Sequence, residues 1–251
     1  MTDLHSHILP GIDDGAEDIE SALRLVDLEY DQGIEDIALT SHYNCEDSSI
    51  EAFLDKRGES FARLQERMNN SKKKICFKLG CEVYFSLRLL EMNFERLCLE
   101  GTNLLLLELP TNYKPPFFKE ALDYFQSIDV VPLIAHVERY SYVLREPTLL
   151  AEWVEMGAYA QINAGTFLVQ NQKMKMSLNF LKWGLAHVVA SDTHSLVKRP
   201  PLIRQALEEI QKHLGTEMVM RLQVNAEDLF RNKELQNVNI HYPKQILGRW
   251  F

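Results

Sequence analysis

The stretch that decides the fold is residues 2–15, TDLHSHILPGIDDG, in which a short apolar run carries two histidines and leads into an acidic, glycine-containing turn. His5 and His7 are two positions apart, so on a β-strand both imidazoles point to the same side. Two imidazoles on one face of a strand can share a metal ion. Asp13 and Asp14 follow on the loop after the strand, and Asp14 is the better candidate ligand of the two.

The rest of the chain repeats this strand-then-helix pattern. Six further apolar runs have the length of β-strands, and they lie at 34–42, 75–85, 103–109, 130–139, 158–165 and 187–194. Helical patterns separate them, near 17–33, 50–71, 86–98, 118–128, 147–156, 173–184 and 203–213, and the last forty residues read as short helices and a tail. Such alternation predicts an α/β protein with a mostly parallel sheet. Seven repeats favour a closed barrel smaller than the usual eightfold one, with an open doubly wound sheet as the alternative.

A polar side chain stands at the carboxyl end of every predicted strand. In a parallel barrel these ends meet at one mouth, which is where barrel enzymes have their active sites. Groups that can bind a metal stand at six of the seven ends, namely His5 with His7, His42, Glu82, Glu108, His136, and Asp192 with His194, and the remaining strand ends in Asn163. Each alone fits a structural role, such as a helix cap for Asp192, but their shared position favours a metal centre. We expect His187, His213 and His241, which lack this position, to be structural or on the surface.

With Asp14 the candidate set has nine members, which is more than one ion can bind. A catalytic zinc uses about three protein ligands, so nine ligands fit two or three ions bridged by carboxylates. Imidazole and carboxylate without thiolate suit Mn²⁺, Fe, Zn²⁺ or Mg²⁺. Clustered ions of this kind lower the pKa of bound water and hold the oxygens of a displacement at phosphorus.

The composition excludes several other kinds of function. The 251 residues contain no clear linker or internal repeat, so we expect one domain spanning 1–251. No apolar run reaches the roughly 18 residues of a membrane span, and no signal peptide is visible, so we expect a cytoplasmic protein without a transmembrane segment. The net charge of −9 and the lack of a basic stripe argue against nucleic-acid binding.

The four cysteines argue against a thiolate mechanism at phosphorus. A cysteine phosphatase needs an arginine six positions after its nucleophilic cysteine, and here those positions hold Glu51, Glu82, Leu87 and Leu104. We therefore expect reduced thiols without a catalytic role at Cys45, Cys76, Cys81 and Cys98.

Seven segments together resemble the polymerase-and-histidinol-phosphatase (PHP) superfamily of metal-dependent enzymes: DLHSHILPGIDDG, TSHY, GCEVYF, LLLLELP, LIAHVERY, INAGTF and SDTHSLVKRPP. Within it they look most like the bacterial tyrosine-protein phosphatases of capsular and exopolysaccharide gene clusters. The resemblance implies a distorted (β/α)7 TIM-like barrel, the PHP fold, with a trinuclear centre that usually holds Mn²⁺. It also implies a partner and substrate, the phosphorylated tyrosine-rich tail of a bacterial tyrosine autokinase that controls polysaccharide export.

The resemblance further implies roles for single residues. The ligands of one metal would be His5, His7, Glu82 and Asp192, those of the second Glu82, Glu108 and His136, and those of the third Asp14, His42 and His194. Arg139 in HVERY and Arg199 in VKRPP match two arginines that the family uses around the phosphate. Aromatic side chains that could flank the phenyl ring are Tyr43, Tyr84, Phe85, Tyr113, Phe117 and Tyr140, and we expect some of these six to belong to the core.

Three other functions remain open at this point. A histidinol-phosphate or other small phosphomonoester phosphatase would belong to the same superfamily, as would a nuclease or nucleoside-phosphate phosphatase. A catalytically inactive barrel that binds and regulates a kinase belongs to a different class, although the full ligand set argues against it.

Overall fold

A computed structural model of the chain describes residues 1–69, 71–236, 239–246 and 248–250. Its strands follow the seven predicted runs, although two of these runs are interrupted. The strands are β1 (Thr2–Ser6), β2 (Asp36–Leu39), β3 (His42–Tyr43), β4 (Cys76–Leu79), β5 (Glu82–Tyr84), β6 (Leu104–Glu108), β7 (Val131–Ile134), β8 (Tyr159–Asn163) and β9 (Val188–Ala190). A short hairpin of β10 (Gln245–Ile246) and β11 (Arg249–Trp250) follows near the end of the chain.

The strands form a curled, parallel sheet in chain order. One part pairs β1, β2 and β4, and the other pairs β3, β5, β6, β7, β8 and β9. Since β2 leads directly into β3 and β4 into β5, the two parts share their second and third strand runs. The last run returns to the first through a parallel bridge between Ser6 and Thr193, where the His7 amide donates to the Thr193 carbonyl over 2.9 Å. The α/β prediction with parallel strands is confirmed, and the open doubly wound alternative is wrong.

The two interruptions lie side by side and distort the sheet. The Glu82 amide donates to the carbonyls of both Thr40 and Ser41, at 3.0 and 3.1 Å, so one donor faces two residues of the neighbouring strand. An irregularity of this kind bends a strand and re-aims its side chains. Directly after this irregularity, β3 pairs with β5 so that His42 is opposite Glu82, which places an imidazole and a carboxylate next to each other.

Eight α-helices surround the strands in the described part of the chain. They are α1 (Ile19–Asp31), α2 (Ile50–Met68), α3 (Phe118–Ser127), α4 (Ser141–Arg145), α5 (Thr148–Glu155), α6 (Gln172–Lys182), α7 (Ile203–Leu214) and α8 (Thr216–Phe230). Polar side chains define where several begin: Asp18 and Ser21 form a capping box on α1, and Ser49 caps α2. None of the described helices is both long enough and apolar enough to cross a membrane.

Two predicted segments differ from the structure. Residues 86–98 form two 3₁₀ helices, Leu87–Glu91 and Phe94–Leu97, instead of one helix. The buried residues of these two helices are Leu89, Phe94 and Leu97. Leu89 and Phe94 are five positions apart, whereas residues on one face of an α-helix recur every three or four positions. The predicted short helices of the last forty residues include the fifteen-residue α8, whose buried positions Leu222, Ala226 and Phe230 recur every four residues.

The carboxyl-terminal end of α8 closes the bottom of the barrel. Inward-facing strand residues form one buried apolar cluster with Ala226, Leu229 and Phe230 of this helix, and they include Leu4, Ala38, Leu104, Leu106, Leu133 and Val188. Burying each such leucine contributes about 2 kcal/mol. The barrel is therefore filled from below, and its carboxyl-terminal mouth is the end that is left for polar side chains. That residues 1–251 form one domain stays a prediction.

Candidate metal centre

All nine predicted ligands lie at the mouth of the barrel. Their positions are the interior of β1 (His5), the residue directly after it (His7), the following loop (Asp14), the starts of β3 and β5 (His42, Glu82), the end of β6 (Glu108) and the residues after β7 and β9 (His136, Asp192, His194). Most of these side chains are buried, whereas Asp14 is 67% exposed. The cluster is therefore a largely buried polar centre that opens to solvent on the side of Asp14.

The first group of ligand atoms comprises His5, His7, Glu82 and Asp192. One atom from each residue lies within 4.8 Å of the others. Glu82 Oε2 is 3.1 Å from His5 Nε2 and 3.2 Å from His7 Nε2, and Asp192 Oδ1 faces the same two nitrogens at 3.4 and 3.6 Å. This is the set that the sequence predicts for one metal.

The second group is on the open side of the centre. Asp14 Oδ1 is 3.4 Å from His42 Nε2 and 3.3 Å from His194 Nε2, and His7 is close enough to join this group. The rings of His7 and His194 are 3.8 Å apart between centroids. The structure thus brings together the predicted trio of Asp14, His42 and His194, and it adds His7 as a neighbour shared with the first group.

Glu82 also joins the third group, on the far side of the centre. Its Oε1 is 2.7 Å from His136 Nε2, and the same nitrogen is 3.6 Å from Glu108 Oε1. The structure also places His42 Nδ1 3.1 Å from Glu82 Oε2, so His42, Glu82 and Glu108 form a compact set as well. Glu82 is the carboxylate that the first and third groups have in common, and it contacts the second group through His42.

The donor set fits divalent cations, and it is poorly satisfied by protein atoms alone. His5 Nε2 and His7 Nε2 face each other over 3.1 Å, and because Nδ1 of each ring donates to another side chain, both Nε2 atoms carry a lone pair when the rings are neutral. Three buried atoms at the centre have no hydrogen-bond partner within the described ranges: Glu82 Oε2, Asp192 Oδ1 and His194 Nε2. Buried polar atoms without partners are costly, and a cation between them would satisfy them.

Proton affinities at the centre are strongly perturbed. Burial alone would lower the pKa of His7, but the hydrogen bond to Asp13, the close contact with Glu82 and the charges of both carboxylates raise it to about 10. Burial opposes ionisation of Glu82, yet the imidazoles of His5 and His136 hold its pKa well below the usual range. A divalent cation would replace the proton of His7 as the partner of these carboxylates, so metal binding should release protons.

Two groups nearer the rim have pKa values that are shifted so that the neutral form of each is favoured. Burial, together with the charges of His7 and Arg199, lowers the pKa of His194 to about 4. Burial and the Glu82 carboxylate raise the pKa of Glu108 to about 7. Neutral imidazole is the form of histidine that binds metals, so His194 is ready to act as a ligand near neutral pH.

Two of the proposed ligands have a left-handed backbone. His136 has φ 34° and Asp192 has φ 52°, a region that residues other than glycine adopt infrequently. The His136 amide is held by Gln161 Oε1 at 2.8 Å, and the Asp192 amide by the His5 carbonyl at 2.8 Å. Such strain is common at functional sites, where surrounding hydrogen bonds hold it in place.

Asp13 has a supporting position instead of a ligand position. Its Oδ2 accepts hydrogen bonds from His7 Nδ1 at 2.8 Å and from the His42 amide at 2.9 Å, and its Oδ1 accepts from the Gly15 amide. Gly15 is required here because a Cβ would lie 2.1 Å from the His7 carbonyl oxygen. The preference for Asp14 over Asp13 as the candidate ligand agrees with this geometry.

Two more supporting residues come from β8, and sequence reasoning did not give them a role. Gln161 Oε1 accepts from His5 Nδ1 at 3.2 Å, and Gln161 Nε2 donates to Asn163 Oδ1. Asn163 in turn donates to Asp192 Oδ2. Their signal in the sequence is the i, i+2 spacing of two amides on a strand, which places both on the inner face.

A buried acid pair lies beneath the centre and was also missed. Asp3 accepts hydrogen bonds from the amide and the hydroxyl of Ser191, the residue before Asp192. Burial, and then the charge of Asp3, raises the pKa of Glu29 on α1 well above its usual value, which favours its neutral form. The two bonds between Ser191 and Asp3 fasten the segment that carries Asp192 to β1.

The two predicted arginines lie on the outer side of Asp192. Arg199 Nη2 is 2.6 Å from Asp192 Oδ2, and Arg139 Nη1 is 3.7 Å from the same oxygen. Both side chains remain more than one-third exposed. Two guanidinium groups beside a metal centre at an open mouth are well placed to bind the oxygens of a phosphate.

The predicted aromatic residues divide into two sets. Tyr43, Phe85 and Tyr140 are buried, so these three are the members that belong to the core. Tyr113 and Phe117 are exposed on the loop after β6, and Tyr84 is partly exposed.

The histidines predicted to lie outside the centre do so. His187 is buried, and its Nδ1 accepts from the Ala160 amide at 3.0 Å. His213 and His241 are exposed, although His213 has an acidic neighbour, Glu209, on its own helix.

A curled parallel sheet whose mouth gathers imidazoles, carboxylates and two arginines defines an α/β barrel with a candidate polynuclear metal centre. The chain belongs to the capsular polysaccharide synthesis family CpsB/CapC, whose sequence model matches residues 1–231. The resemblance found in the sequence is thereby confirmed.

Several relatives and solved structures are similar to this chain over most of its length. The tyrosine-protein phosphatase CpsB of Streptococcus agalactiae is 30% identical over 242 residues, covering 92% of this chain and 99% of that protein. The putative tyrosine-protein phosphatase CapC of Staphylococcus aureus is 32% identical, covering 98% and 94%. A solved structure from work on YwqE of Bacillus subtilis and CpsB of Streptococcus pneumoniae, described as metal-dependent tyrosine phosphatases, matches with a TM-score of 0.86 and 30% identity, covering 94% of this chain and 96% of that one.

A more distant match supports the fold alone. The histidinol phosphate phosphatase of Lactococcus lactis, solved with zinc, L-histidinol and phosphate, is 15% identical with a TM-score of 0.53, covering 85% of this chain and 94% of that one. Together with the strand order, it confirms the distorted PHP-type barrel.

Proposed function

We propose that this chain is a metal-dependent protein-tyrosine phosphatase that hydrolyses phosphotyrosine in a protein substrate. The observation that carries the proposal is the convergence of nine imidazole and carboxylate side chains, Glu82 among them, at the mouth of the barrel, with two arginines on the outer side of Asp192. The activity is that of a phosphoric monoester hydrolase, in agreement with the names of the relatives. The arrangement is open on one side, as an enzyme with a large substrate requires.

The residues that would hold the ions are the nine predicted ligands. One ion would be held by His5, His7, Glu82 and Asp192, a second by Glu82, Glu108 and His136, and a third by Asp14, His42 and His194. We propose Mn²⁺ as the metal, with Fe, Zn²⁺ or Mg²⁺ as other ions that suit these ligands. When bound, such ions act as Lewis acids and lower the pKa of water to generate a nucleophile.

The protein's own groups would bind and orient the phosphate. Arg139 and Arg199 would donate hydrogen bonds to its outer oxygens and stabilise the charge that develops as the phenolate leaves. Asp13 would keep His7 in the orientation that points Nε2 into the centre, and Gln161 would do the same for His5.

Two observations on the thiols support a hydrolysis without a phosphoenzyme. All four cysteines are free thiols, and only Cys76 is exposed. Burial raises the pKa of Cys98 to about 12 and raises that of Cys81 further, so these two thiols would stay protonated at neutral pH.

The partner of the proposed activity is a bacterial tyrosine autokinase phosphorylated on tyrosine. Membership of a capsular polysaccharide synthesis family supports this proposal, since such a kinase would supply the phosphotyrosine. A cytoplasmic location is part of the same proposal, because the kinase would be phosphorylated there. The negative net charge of −9 gives no support to a nucleic-acid substrate.

An assay with three substrates tests the function directly. Phosphotyrosine peptide, phosphoserine peptide and histidinol phosphate are compared as substrates of the full chain with Mn²⁺ added. We expect the phosphotyrosine peptide to be hydrolysed with the highest kcat/KM. A preference for histidinol phosphate, or no hydrolysis of any phosphomonoester, would contradict the proposal.

A further inference from the structure

The exposed apolar residues around the mouth are not evenly distributed. Five of them lie on the three segments that follow β6, β8 and β9, with between 40% and 86% of their surface exposed: Tyr113, Phe117, Leu168, Val169 and Val197. Large apolar side chains exposed next to each other commonly mark a site of interaction. Because the strand order runs β6, β7, β8, β9, the three segments lie on one half of the mouth, with the segment after β7 between the first two, and they are called here the apolar arc.

The apolar arc also differs from the rest of the chain in charge. Residues 109–117, 164–171 and 195–201 contain no Asp or Glu, although 36 of the 251 residues are acidic. They contain two exposed lysines, Lys114 and Lys198. The loop after β1, which borders the arc across the seam between β9 and β1, carries four acids, Asp13, Asp14, Glu17 and Asp18. A negatively charged chain segment that reaches the metal centre would therefore be attracted to the apolar arc and repelled from the β1 side.

Each segment of the apolar arc is connected to the centre by contacts. Val197 lies two residues before Arg199, which binds Asp192. The 3₁₀ helix Ala164–Leu168 follows Asn163, another partner of Asp192, and its Thr166 hydroxyl bonds to Glu138 beside Arg139. The segment with Tyr113 and Phe117 starts directly after Glu108.

Phe117 is presented to solvent at a conformational cost. It has φ 56°, a region that a bulky aromatic residue rarely adopts, and its side chain is 62% exposed. It follows two prolines and directly precedes α3, so its position is fixed by rigid neighbours on both sides. Because its backbone is already restricted, covering the ring with a partner costs little further backbone entropy.

We infer that the apolar arc is the docking surface for the polypeptide on either side of the phosphotyrosine, and that it selects aliphatic or aromatic residues with acidic residues among them. This inference rests on the proposed phosphatase function and adds the substrate's sequence preference to it. A phosphotyrosine held by the two arginines would extend its backbone over one or more of these segments. Free phosphotyrosine would use the centre without using the apolar arc.

The test compares kcat/KM for two peptides and free phosphotyrosine. One phosphotyrosine peptide has Leu, Phe and Glu at the flanking positions, and the other has Gly and Ser. The variant combines Phe117→Ser, Val169→Ser and Val197→Ser. The matched control, Met220→Ser with Val224→Ser, removes exposed apolar residues from a groove at the opposite end of the barrel, which Met1 and Asp36 also line.

We expect the triple variant to lose about tenfold in kcat/KM for the apolar, acidic peptide and less than about twofold for free phosphotyrosine. The control should match the wild type on all substrates. Equal losses on the peptide and on free phosphotyrosine, or no loss on the peptide, would overturn the inference and leave the phosphatase function standing. A wild type that hydrolyses no phosphotyrosine would contradict the function itself and this inference with it. Sedimentation of the wild type but not of the triple variant with vesicles of phosphatidylglycerol would assign the apolar arc to a lipid surface, and would also overturn the inference.

Discussion

Asp13 Oδ2 accepts a hydrogen bond from His7 Nδ1 over 2.8 Å, and this bond fixes which nitrogen of His7 faces the metal centre. Removing the charge should weaken metal binding without removing any proposed ligand. For Asp13→Asn we expect about a 10- to 100-fold loss of metal affinity, measured by titration of the apoprotein with Mn²⁺. Glu17→Gln, an acid on the same loop that is exposed, serves as the control and should bind metal as the wild type does. Wild-type affinity in Asp13→Asn would show that His7 needs no such support.

The two arginines should affect turnover and not metal content. Arg139→Ala and Arg199→Ala should each reduce kcat about a hundredfold or more, because one lost contact to the developing charge costs about 3 kcal/mol. Metal content of the purified variants should stay near that of the wild type. Arg145→Ala, an exposed arginine on α4, is the matched control. Wild-type turnover in either test variant would remove that arginine from the proposed site.

Substitution of the buried ligands should lower metal content and catalytic activity together. His136→Ala and Asp192→Ala should lower bound metal and activity in parallel, as measured by mass spectrometric metal analysis and by phosphotyrosine hydrolysis. His213→Ala changes an exposed histidine on α7 and should alter neither. Full metal occupancy in both ligand variants would mean that the two residues are misassigned.

Chelation of the metal should abolish activity, whereas alkylation of the cysteines should leave it nearly unchanged. We expect EDTA to abolish phosphotyrosine hydrolysis and Mn²⁺ to restore it, since imidazole and carboxylate ligands release metal to a strong chelator. Iodoacetamide should have little effect, because Cys76 is the only exposed cysteine and it lies at the start of β4, away from the mouth. Loss of activity on alkylation, with the circular dichroism spectrum and the metal content unchanged, would overturn the proposed mechanism.

Stability towards acid should depend on His187. Burial, and then the charge of Arg221, lowers the pKa of this imidazole to about 3 in the folded protein, against 6.5 in the unfolded chain. Between these values the unfolded chain binds the proton and the folded protein does not, so the free energy of unfolding falls as the pH drops below about 6.5. From pH 7.5 to pH 5.0 this effect amounts to about 2 kcal/mol.

The measurement is urea unfolding of the metal-free protein at both pH values. In His187→Asn, whose amide oxygen can replace Nδ1 as acceptor for the Ala160 amide, the fall in unfolding free energy should be smaller than in the wild type by about 2 kcal/mol. An identical fall in the wild type and the variant would show that His187 does not remain neutral in the folded state.

The order and type of the main elements could be predicted from the sequence, because each strand run is short, apolar and bounded by polar or turn residues. The spacing of His5 and His7 placed both on one face, and the strand-end positions of Glu108 and His136 followed from where the apolar runs stop. The segment 86–98 could not be predicted, because its composition suits a helix while tertiary burial of Phe94 does not follow a helical period. Aromatic residues such as Tyr43 and Tyr113 look alike in the sequence, and only the packing decided that one is buried and the other exposed.

By itself, the sequence determined which chemical groups stand at the ends of the strands, since periodicity and the length of apolar runs are local properties. Only the tertiary structure decided how those groups are combined. Glu82 becomes the shared carboxylate because the interruption between β4 and β5 turns it into the centre beside His42, and Asp192 meets His5 and His7 because the seam between β9 and β1 closes through Ser6 and Thr193. Asp13 and Asp14 are adjacent in the chain, yet one supports His7 and the other faces His42 and His194. These outcomes depend on contacts between residues far apart in the chain, which local patterns do not encode.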